Sequence, residues 1–399
     1  MKRYSITLCS LLVLWTTSYG QTYKKIASLP GAANYGYVSF SIGDRLYCGG
    51  GFVKTFFQYD QHLNVWIRKA DIPGVDTART FGIGFSIGSK GYVGLGTDGD
   101  QTLVFKKDLW EYDPATDSWT QKADFPHGAF AGSGVFVVNG KAYVGGGGDK
   151  NFNYSEFYQY DPVADDWSPK RDLPVDARGY PAMFSIGKYG YLMGGEGKTE
   201  LSDFYQYDPS FDQWTALPDF PGAARSQAAA FAIGGRGYVG LGQSNYTAVY
   251  KDMYTYDTAK SSWQKLSDLP GPGRAAPSVS VLGDTAYMGS GFNYSSGLLA
   301  DWYSFVAPDA AVSNSQTTSA TVMSYPQPVF DRLSFAHLEA NTFYKVEVID
   351  MLGRSLLQTS VHTTAAGDPS LNVSGLRPGL YRVVLSTESS SVAVSVLKQ

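Results

Sequence analysis

The chain has 399 residues, of which 15% are aromatic and 17% are charged, and 45 are glycine. This composition favours a strand-rich, turn-rich protein and argues against a disordered or helical one. The formal net charge of −4 gives no reason to expect nucleic acid or an anionic membrane surface as a partner.

Residues 1–20 have the pattern of a secretory signal peptide. Lys2 and Arg3 precede the apolar run ITLCSLLVLW, and Ser18-Tyr19-Gly20 provides a cleavage site. This run is too short to span a bilayer, so we expect an exported protein without a transmembrane anchor. The mature chain would begin at Gln21 and keep only Cys48, in the strand-like segment RLYCGGG. We therefore expect no intramolecular disulfide and a buried, unreactive thiol.

A motif rich in aromatic residues recurs along residues 22–306. Its tryptophans are Trp66, Trp119, Trp167, Trp214 and Trp263, spaced by 53, 48, 47 and 49 residues. Each unit also carries a YxYD-like segment, an apolar run and a glycine cluster, which together predict four short strands. This period and strand number are typical of a β-propeller. The tryptophan should begin the outermost strand and cover the gap between neighbouring blades.

The first and last units of the repeat are incomplete. Thr22–Tyr35 aligns with Ser262–Ala275, with Tyr23 in the tryptophan position, so the chain begins with an outermost strand. Asp301–Val306 supplies a third strand that no fourth strand follows. We therefore expect the N-terminal strand to complete the last blade and close a ring of six blades, which removes the open sheet edge.

The paired glycines, the Tyr-Asp segments and the tryptophans resemble kelch repeats over residues 22–306. The resemblance implies an all-β fold with a six-bladed kelch β-propeller at residues 21–306. Residues 307–322 are rich in Ser, Thr and Ala and are interpreted as a linker. Residues 323–399 alternate apolar and polar side chains, which predicts a small antiparallel β-sandwich.

The segment 323–399 is similar to the C-terminal sorting domain of proteins exported by the type IX secretion system of Bacteroidetes. The matching pieces are YPQPVFDRLSF, VIDMLGRSL, LNVSGLRPGLY and the terminal LKQ. The similarity implies recognition by the type IX secretion machinery and removal of the tail after passage across the outer membrane. The protein would then be secreted or attached to the outer cell surface, and the tail would have no activity of its own.

Propeller topology places the crossovers between blades and the loops between second and third strands on one face. These loops are long and varied, so we expect binding residues there. One equivalent position in each crossover is occupied by Asn34, Arg79, Phe130, Arg178, Arg225 and Arg274. The four arginines could form a cationic receptor for carboxylate, sulfate or phosphate, or they could bind the carbonyl groups of the crossover loops. The kelch resemblance adds that arginines on this face take part in partner recognition.

Aromatic side chains are expected on the same face. They are Phe52, Phe130, Phe152, Tyr154, Tyr246, Phe292 and Tyr294. Exposed aromatic rings beside hydrogen-bonding groups suit sugar rings or peptide chains, and packing of the loops is the alternative role.

Glu196 is the candidate catalytic residue. It directly follows Gly194-Gly195, and Asp98, Asp100 and Asp149 lie on equivalent loops. A carboxylate that faces arginines could act as a general base on a bound sugar. Gly195-Glu196 is similar to the Gly-Glu of bacterial kelch mutarotases, which interconvert anomers of sialic acid. The arginine that those enzymes place shortly afterwards is missing from Gly197–Asp203.

No metal or cofactor is expected. A copper radical oxidase of the galactose oxidase type needs paired His and Tyr ligands and a cross-linked Cys, whereas the propeller has only His62 and His127. Thr97–Thr102 contains two aspartates in a glycine turn, a pattern that is usually a solvated loop rather than a calcium site.

The main functional hypothesis is non-covalent binding of a glycan or a protein partner. In it the four arginines contact anionic groups, and Asn34, Phe130, Tyr154, Tyr246 and Tyr294 complete the site. The alternative is a carbohydrate mutarotase or isomerase with Glu196 as the base. A third hypothesis is a purely structural surface scaffold.

Overall fold

A computed structural model describes residues 22–74, 78–98, 104–174, 176–307, 323–325, 329–336, 342–350, 354–363, 369–387 and 391–398. Their regular elements are all β-strands. Backbone contacts divide the chain into two compact units, residues 1–313 and 314–399.

The first unit is built from six four-stranded antiparallel sheets. Each innermost strand contacts the innermost strands of the two neighbouring sheets, and the sixth contacts the first. This circular arrangement is a six-bladed β-propeller, so the fold class expected from the repeat is confirmed.

The strands of the first three blades follow one another from the channel outwards. Blade 1 contains Tyr37–Ile42, Arg45–Gly50, Phe56–Asp60 and Val65–Lys69. Blade 2 contains Ile83–Ile87, Lys90–Gly94, Leu109–Asp113 and Ser118–Lys122. Blade 3 contains Gly134–Val138, Lys141–Gly145, Phe157–Asp161 and Asp166–Lys170.

The other three blades repeat this order. Blade 4 contains Ala182–Ile186, Tyr189–Glu196, Glu200–Asp208 and Gln213–Leu217. Blade 5 contains Ala229–Ile233, Arg236–Gly240, Met253–Asp257 and Ser262–Lys265, with a small hairpin of Gln243–Ser244 and Ala248–Val249. Blade 6 contains Ser278–Leu282, Thr285–Gly289, Trp302–Val306 and Thr22–Ile26, with a small hairpin of Phe292–Asn293 and Gly297–Leu298.

The two ends of the propeller sequence meet in blade 6. Thr22–Ile26 pairs antiparallel with Trp302–Val306, with Tyr23 opposite Phe305. Their ring centroids lie 5.2 Å apart. The expectation that the N-terminal strand completes the last blade is therefore confirmed.

Each outermost strand is bound to the preceding blade through its tryptophan. The indole Nε1 of Trp66 donates a hydrogen bond to the carbonyl oxygen of Ala27 at 2.9 Å. Equivalent bonds join Trp119 to Ala70, Trp167 to Ala123, Trp214 to Arg171 and Trp263 to Pro218. Tyr23, in the same position, donates its hydroxyl to the carbonyl of Ser267 at 3.2 Å. The tryptophans thus join neighbouring blades, as the sequence predicts.

The six crossovers are joined to one another by a closed circle of backbone hydrogen bonds. We call this circle the inner ring. Its members are Gly36, Phe81, Gly132, Tyr180, Gln227 and Ala276, and each donates its amide to the carbonyl of the preceding member. The bond from Gly36 to Ala276 closes the circle at 3.4 Å. All six residues have positive φ, between 47° and 70°, so four non-glycine residues adopt a left-handed conformation here.

The second unit consists of two small sheets. One contains Met323–Tyr325, Arg332–Ala336 and Ser370–Asn372, and the other contains Ser355–His362, Phe343–Asp350, Gly379–Ser386 and Ser391–Lys398. Leu333 and Phe335 of the first sheet share one apolar core with Val346, Val348 and Val383 of the second. This is the small β-sandwich that the sequence predicts.

Cys48 lies in the second strand of blade 1 and is fully buried. Burial raises the pKa of its thiol to about 12, so the thiol is protonated and unreactive at neutral pH, as expected. The proposed signal peptide, residues 1–20, lies outside the described residues, as does nearly all of the linker at 307–322. No helix that is long and apolar enough to cross a membrane occurs among the described residues.

We expect a disulfide between the paired terminal strands to stabilise the propeller. Lys24 and Ser304 are directly opposite in the register, so Lys24→Cys combined with Ser304→Cys places two thiols at bridging distance. Closing so long a loop should stabilise the fold by about 2–4 kcal/mol. The measurement is thermal unfolding of the oxidised double variant with and without reductant. An oxidised protein no more stable than its reduced form would contradict the closure through the termini.

Candidate functional site

The long loops and the crossovers share one face of the propeller, which we call the loop face. A glycine at the end of each second strand, or one to two residues beyond it, donates its amide to the crossover of the following blade. The bond runs from Gly51 to the carbonyl of Arg79 at 2.7 Å, and the bond from Gly291 to Asn34 closes the circle at 3.1 Å. The equivalent bonds run from Gly96 to Phe130, from Gly147 to Arg178, from Gly195 to Arg225 and from Gly242 to Arg274. A rigid backbone framework therefore holds the residues of this face.

The four crossover arginines are fully buried, with 0% of each side chain exposed. Each guanidinium binds an aspartate that lies in the third strand of its own blade or just before it. The aspartate directly precedes the strand in blades 2, 5 and 6 and lies within the longer strand of blade 4. In blade 4, the two terminal nitrogens of Arg178 lie 2.7 and 2.9 Å from the carboxylate oxygens of Asp203. The corresponding pairs are Arg79 with Asp108, Arg225 with Asp252 and Arg274 with Asp301.

Each arginine also donates a hydrogen bond to a carbonyl near the end of the second strand of its blade. The acceptors are Leu95, Gly194, Leu241 and Ser290. One guanidinium therefore joins the crossover, the second strand and the third strand. Blades 1 and 3 lack both the arginine and the aspartate. The two positions are occupied by Asn34 and Thr55 in blade 1 and by Phe130 and Glu156 in blade 3.

The prediction that Arg79, Arg178, Arg225 and Arg274 contact an anionic ligand disagrees with this geometry. Their terminal guanidinium nitrogens bind aspartates and carbonyls, and the side chains have no contact with solvent. The other two members of this position are also buried. Asn34 accepts the amide of Tyr35 at 2.8 Å, and the ring of Phe130 stacks on Tyr154 with centroids 4.4 Å apart. The structural interpretation of this position is the one that the contacts support.

A row of aromatic side chains occupies the centre of the loop face. Tyr35 contacts Phe52 and Phe81, with ring centroids 5.0 and 5.5 Å apart, and Phe81 contacts Tyr180 at 5.0 Å. Tyr35 also contacts Phe292, at 5.7 Å. We call these five residues the aromatic row. Phe81 and Tyr180 also belong to the inner ring, so its backbone hydrogen bonds fix two of the five residues of the row.

A cavity of about 290 Å³ opens beside the aromatic row. Tyr35, Phe81 and Tyr180 form its apolar side, and Asp149, Lys150 and Asn153 of blade 3 form a polar rim. Asp149 is held by its own loop, since its carboxylate accepts the amides of Asn151 and Phe152 and the hydroxyl of Tyr154. The cavity thus combines flat apolar rings with polar groups, which is the usual composition of a small-ligand site.

Glu196 and Tyr246 were predicted separately, and the structure brings them together. The hydroxyl of Tyr246 lies 2.8 Å from both carboxylate oxygens of Glu196. Asn245 and Tyr246 form the tip of the blade 5 hairpin, both with positive φ. Burial and the Glu196 carboxylate raise the pKa of Tyr246, so this phenol remains a hydrogen-bond donor over the physiological range.

The remaining predicted residues lie near this site or outside the described chain. Tyr294 is 39% exposed and donates its hydroxyl to the side chain of Gln243. Phe152 is exposed on the blade 3 loop. Asp98 accepts the amide of Val104 within its own loop. Asp100 lies outside the described residues, together with most of Thr97–Thr102.

The described residues contain no cluster of three or more His, Cys, Asp or Glu that could hold a metal ion. His127 instead lies 3.1 Å from the carboxylate of Glu156, in the blade whose arginine position is taken by Phe130.

Tyr35, Phe81 and Tyr180 were not predicted as site residues from the sequence. Phe81 and Tyr180 stand where the equivalent inner-ring positions of four blades have Gly, Gln or Ala. A large aromatic residue at that position could have indicated a site residue, because it departs from the repeat and is not required for the structure of the blade.

Comparisons with known proteins agree with the architecture. Residues 129–174 and 177–221 match the Kelch motif, and residues 323–399 match the Secretion system C-terminal sorting domain. No curated protein matches the chain in sequence. A solved structure titled "Structure of YjhT" is 18% identical, with 69% of this chain and 95% of that chain covered and a TM-score of 0.61, which shows a shared fold.

The chain therefore combines a kelch β-propeller with a C-terminal sorting domain of the type IX secretion system. The sorting domain indicates export to the cell surface or to the outside of the cell.

We expect the arginine–aspartate pairs to stabilise the fold. Asp203→Ala leaves the buried guanidinium of Arg178 without its counter-charge, which should lower the free energy of unfolding by about 3–5 kcal/mol. The exposed Asp219 supplies a matched control, and Asp219→Ala should change it by less than about 0.5 kcal/mol. Urea unfolding of both variants measures the difference. Equal stabilities would mean that the pair does not hold the crossover.

Proposed function

We propose that the exported propeller is a non-covalent binding module that recognises a glycan through the loop face. The observation that carries this proposal is the cavity beside the aromatic row, which is lined both by Tyr35, Phe81 and Tyr180 and by the polar rim of Asp149, Lys150 and Asn153. Sugar rings have apolar C–H faces and hydroxyl edges, so a cavity lined by both aromatic rings and polar groups can match both.

The size and position of the cavity favour recognition of one sugar unit at a time. Its volume of about 290 Å³ is at the lower end of the range for small-ligand pockets. The cavity is open to the loop face, so the rest of a longer glycan could extend outwards over the loops of blades 3 to 5. The rigid crossovers would keep the aromatic rings in place before binding, which lowers the entropic cost.

The charges around the cavity favour a ligand that is not acidic. The four crossover arginines are paired with aspartates and do not reach the cavity. Lys150 is a single cation on the rim, and the carboxylates of Asp149 and Glu196 lie on the same face. We therefore replace the acidic glycan expected from the sequence by a neutral or amine-bearing one.

The proposed route to the site of action has two steps. A signal peptide at residues 1–20 would direct the chain out of the cytoplasm, and the tail at 323–399 would then engage the type IX machinery. After removal of the tail, the propeller would act outside the cell or on its surface, where glycans are accessible.

A second candidate function is a carbohydrate mutarotase in which Glu196 is the base. The observation in its favour is the bond between the Glu196 carboxylate and the Tyr246 phenol, 2.8 Å from both oxygens, beside the cavity. Anomer exchange needs a group that removes the proton of the anomeric hydroxyl and a donor for the ring oxygen. A carboxylate and a phenol on one face of a sugar site could serve these roles.

Replacement of Tyr180 tests the binding proposal. Tyr180→Leu keeps an apolar side chain but removes the aromatic face, and we expect affinity for neutral glycans to fall about three- to tenfold. Phe211 is an exposed aromatic in the turn between the third and fourth strands of blade 4, on the opposite face, so Phe211→Leu is the matched control. A glycan array identifies the ligand and calorimetry measures its affinity. Failure of every neutral and acidic glycan to bind would overturn the proposal and favour a protein partner.

Replacement of Glu196 tests the mutarotase alternative. Anomer exchange of a candidate sugar, followed by NMR, should slow at least about a hundredfold in Glu196→Gln, while binding of that sugar is retained. Wild-type protein that leaves the exchange rate at its spontaneous value for every bound sugar would exclude this function.

A further inference from the structure

Three exposed or half-buried tyrosines from different blades are connected to Glu196, one of them directly through its carboxylate. Tyr246 binds the carboxylate directly from the blade 5 hairpin. Tyr180 follows Gly179, whose backbone exchanges two hydrogen bonds of 2.8 Å with the backbone of Glu196. Tyr294 of blade 6 binds Gln243, at the base of the hairpin that carries Tyr246. We call Glu196 and these tyrosines the tyrosine cluster.

The electrostatic influence of Glu196 extends over all three rings. Burial, followed by the Glu196 carboxylate, raises the pKa of Tyr180 to about 12. Burial and the same carboxylate also raise the pKa values of Tyr246 and Tyr294. The Glu196 carboxylate therefore acts electrostatically on three phenols, of which Tyr246 is in direct contact with it.

The carboxylate of Glu196 lacks a cationic partner within the described part of the chain. No lysine or arginine there forms an ion pair with it, whereas Asp108, Asp203, Asp252 and Asp301 are each paired with an arginine. A carboxylate has about four acceptor sites, and the Tyr246 hydroxyl occupies only part of those of Glu196. The cluster thus offers a carboxylate with spare acceptor sites beside aromatic faces.

Aromatic faces and a carboxylate together form the chemistry that recognises an ammonium group. A cation near the face of a tyrosine is attracted by the ring quadrupole, and the carboxylate adds direct charge attraction and a hydrogen-bond acceptor. We infer that the tyrosine cluster binds the ammonium group of an amino sugar. This inference rests on the proposed function, because it specifies the class of glycan that the same face takes.

The position of the cluster fits a sugar bound in the adjoining cavity. Tyr180 belongs to both the cavity and the cluster. Asn153, on the cavity rim, donates its side-chain amide to the carbonyl oxygen of Glu196 at 2.7 Å. Residue 196 therefore adjoins the part of the cavity formed by Tyr180 and Asn153. We expect an amino substituent of a sugar bound against Tyr180 to reach the Glu196 carboxylate.

The test uses two ligands that differ only in their nitrogen substituent. Glucosamine oligomers carry ammonium groups, and N-acetylglucosamine oligomers of the same length carry neutral amides. We expect wild-type protein to bind the glucosamine oligomer about fivefold to thirtyfold more tightly at slightly acidic pH and low salt, as cation–π contacts and charge attraction imply. Calorimetry on the full chain measures both affinities.

Glu196→Gln should abolish this preference and leave the affinity for the acetylated oligomer unchanged. Glu111→Gln is the matched control, because Glu111 also accepts a tyrosine hydroxyl, that of Tyr92 in blade 2, but does not belong to the tyrosine cluster. It should retain the preference. A preference that persists in Glu196→Gln would overturn the inference, and thermal unfolding of each variant shows that the fold is intact.

The outcomes separate this inference from the proposed function. Equal binding of both oligomers by wild-type protein would overturn the ammonium site and support glycan binding. If neither oligomer binds, tetramethylammonium is used as a probe without a sugar ring. Saturable binding of tetramethylammonium that is lost in Glu196→Gln would support the ammonium site while the glycan proposal fails, and no binding would overturn both.

Discussion

The buried pairing of arginine with aspartate is the interaction on which the loop face depends. A guanidinium removed from water is tolerated only when its charge is balanced and its donors are satisfied. In Arg178 this is achieved by the fork to Asp203 and by a bond to the carbonyl of Gly194. These contacts fix the crossover against two strands, and the crossover in turn places Tyr180 in the inner ring. The aromatic row is thus positioned by buried, paired charges.

Much of the fold could be predicted from the sequence, because the same pattern of strands occurs in several successive repeats. The tryptophan spacing predicted the blades. The alignment of Thr22–Tyr35 with Ser262–Ala275 predicted that the N-terminal strand completes the last blade. The position of the arginines in the repeat could not distinguish a binding role from a structural role. A residue with either role can recur at the same position in several blades. Their aspartate partners lie 25 to 29 residues further along the chain. The decisive pattern was within the chain, since the units that lack the arginine also lack the aspartate.

The candidate site was harder to predict because it consists of departures from the repeat. Phe81 and Tyr180 follow the crossover arginines by two residues, where a sequence pattern indicates only the approach to a strand. The left-handed backbone conformation of these two residues determines the orientation of their side chains. This conformation depends on the hydrogen bonds of the inner ring, which join residues of different blades. Glu196 and Tyr246 were each visible as loop residues. Their contact across two blades depends on how the blade 5 hairpin folds, which local sequence does not specify.

Blade 3 links the loss of the structural pair to the formation of the cavity. With Phe130 in the arginine position, an aromatic ring replaces the ion pair and stacks on Tyr154. The hydroxyl of Tyr154 then binds Asp149, which orders the loop that carries Lys150 and Asn153. A position that serves stability in four blades therefore organises the rim of the cavity in this one. Because the remaining arginines are neutralised within the blades, the charge preference of the face is set by loop carboxylates such as Glu196, and substitutions in the loops can alter it without disturbing the propeller.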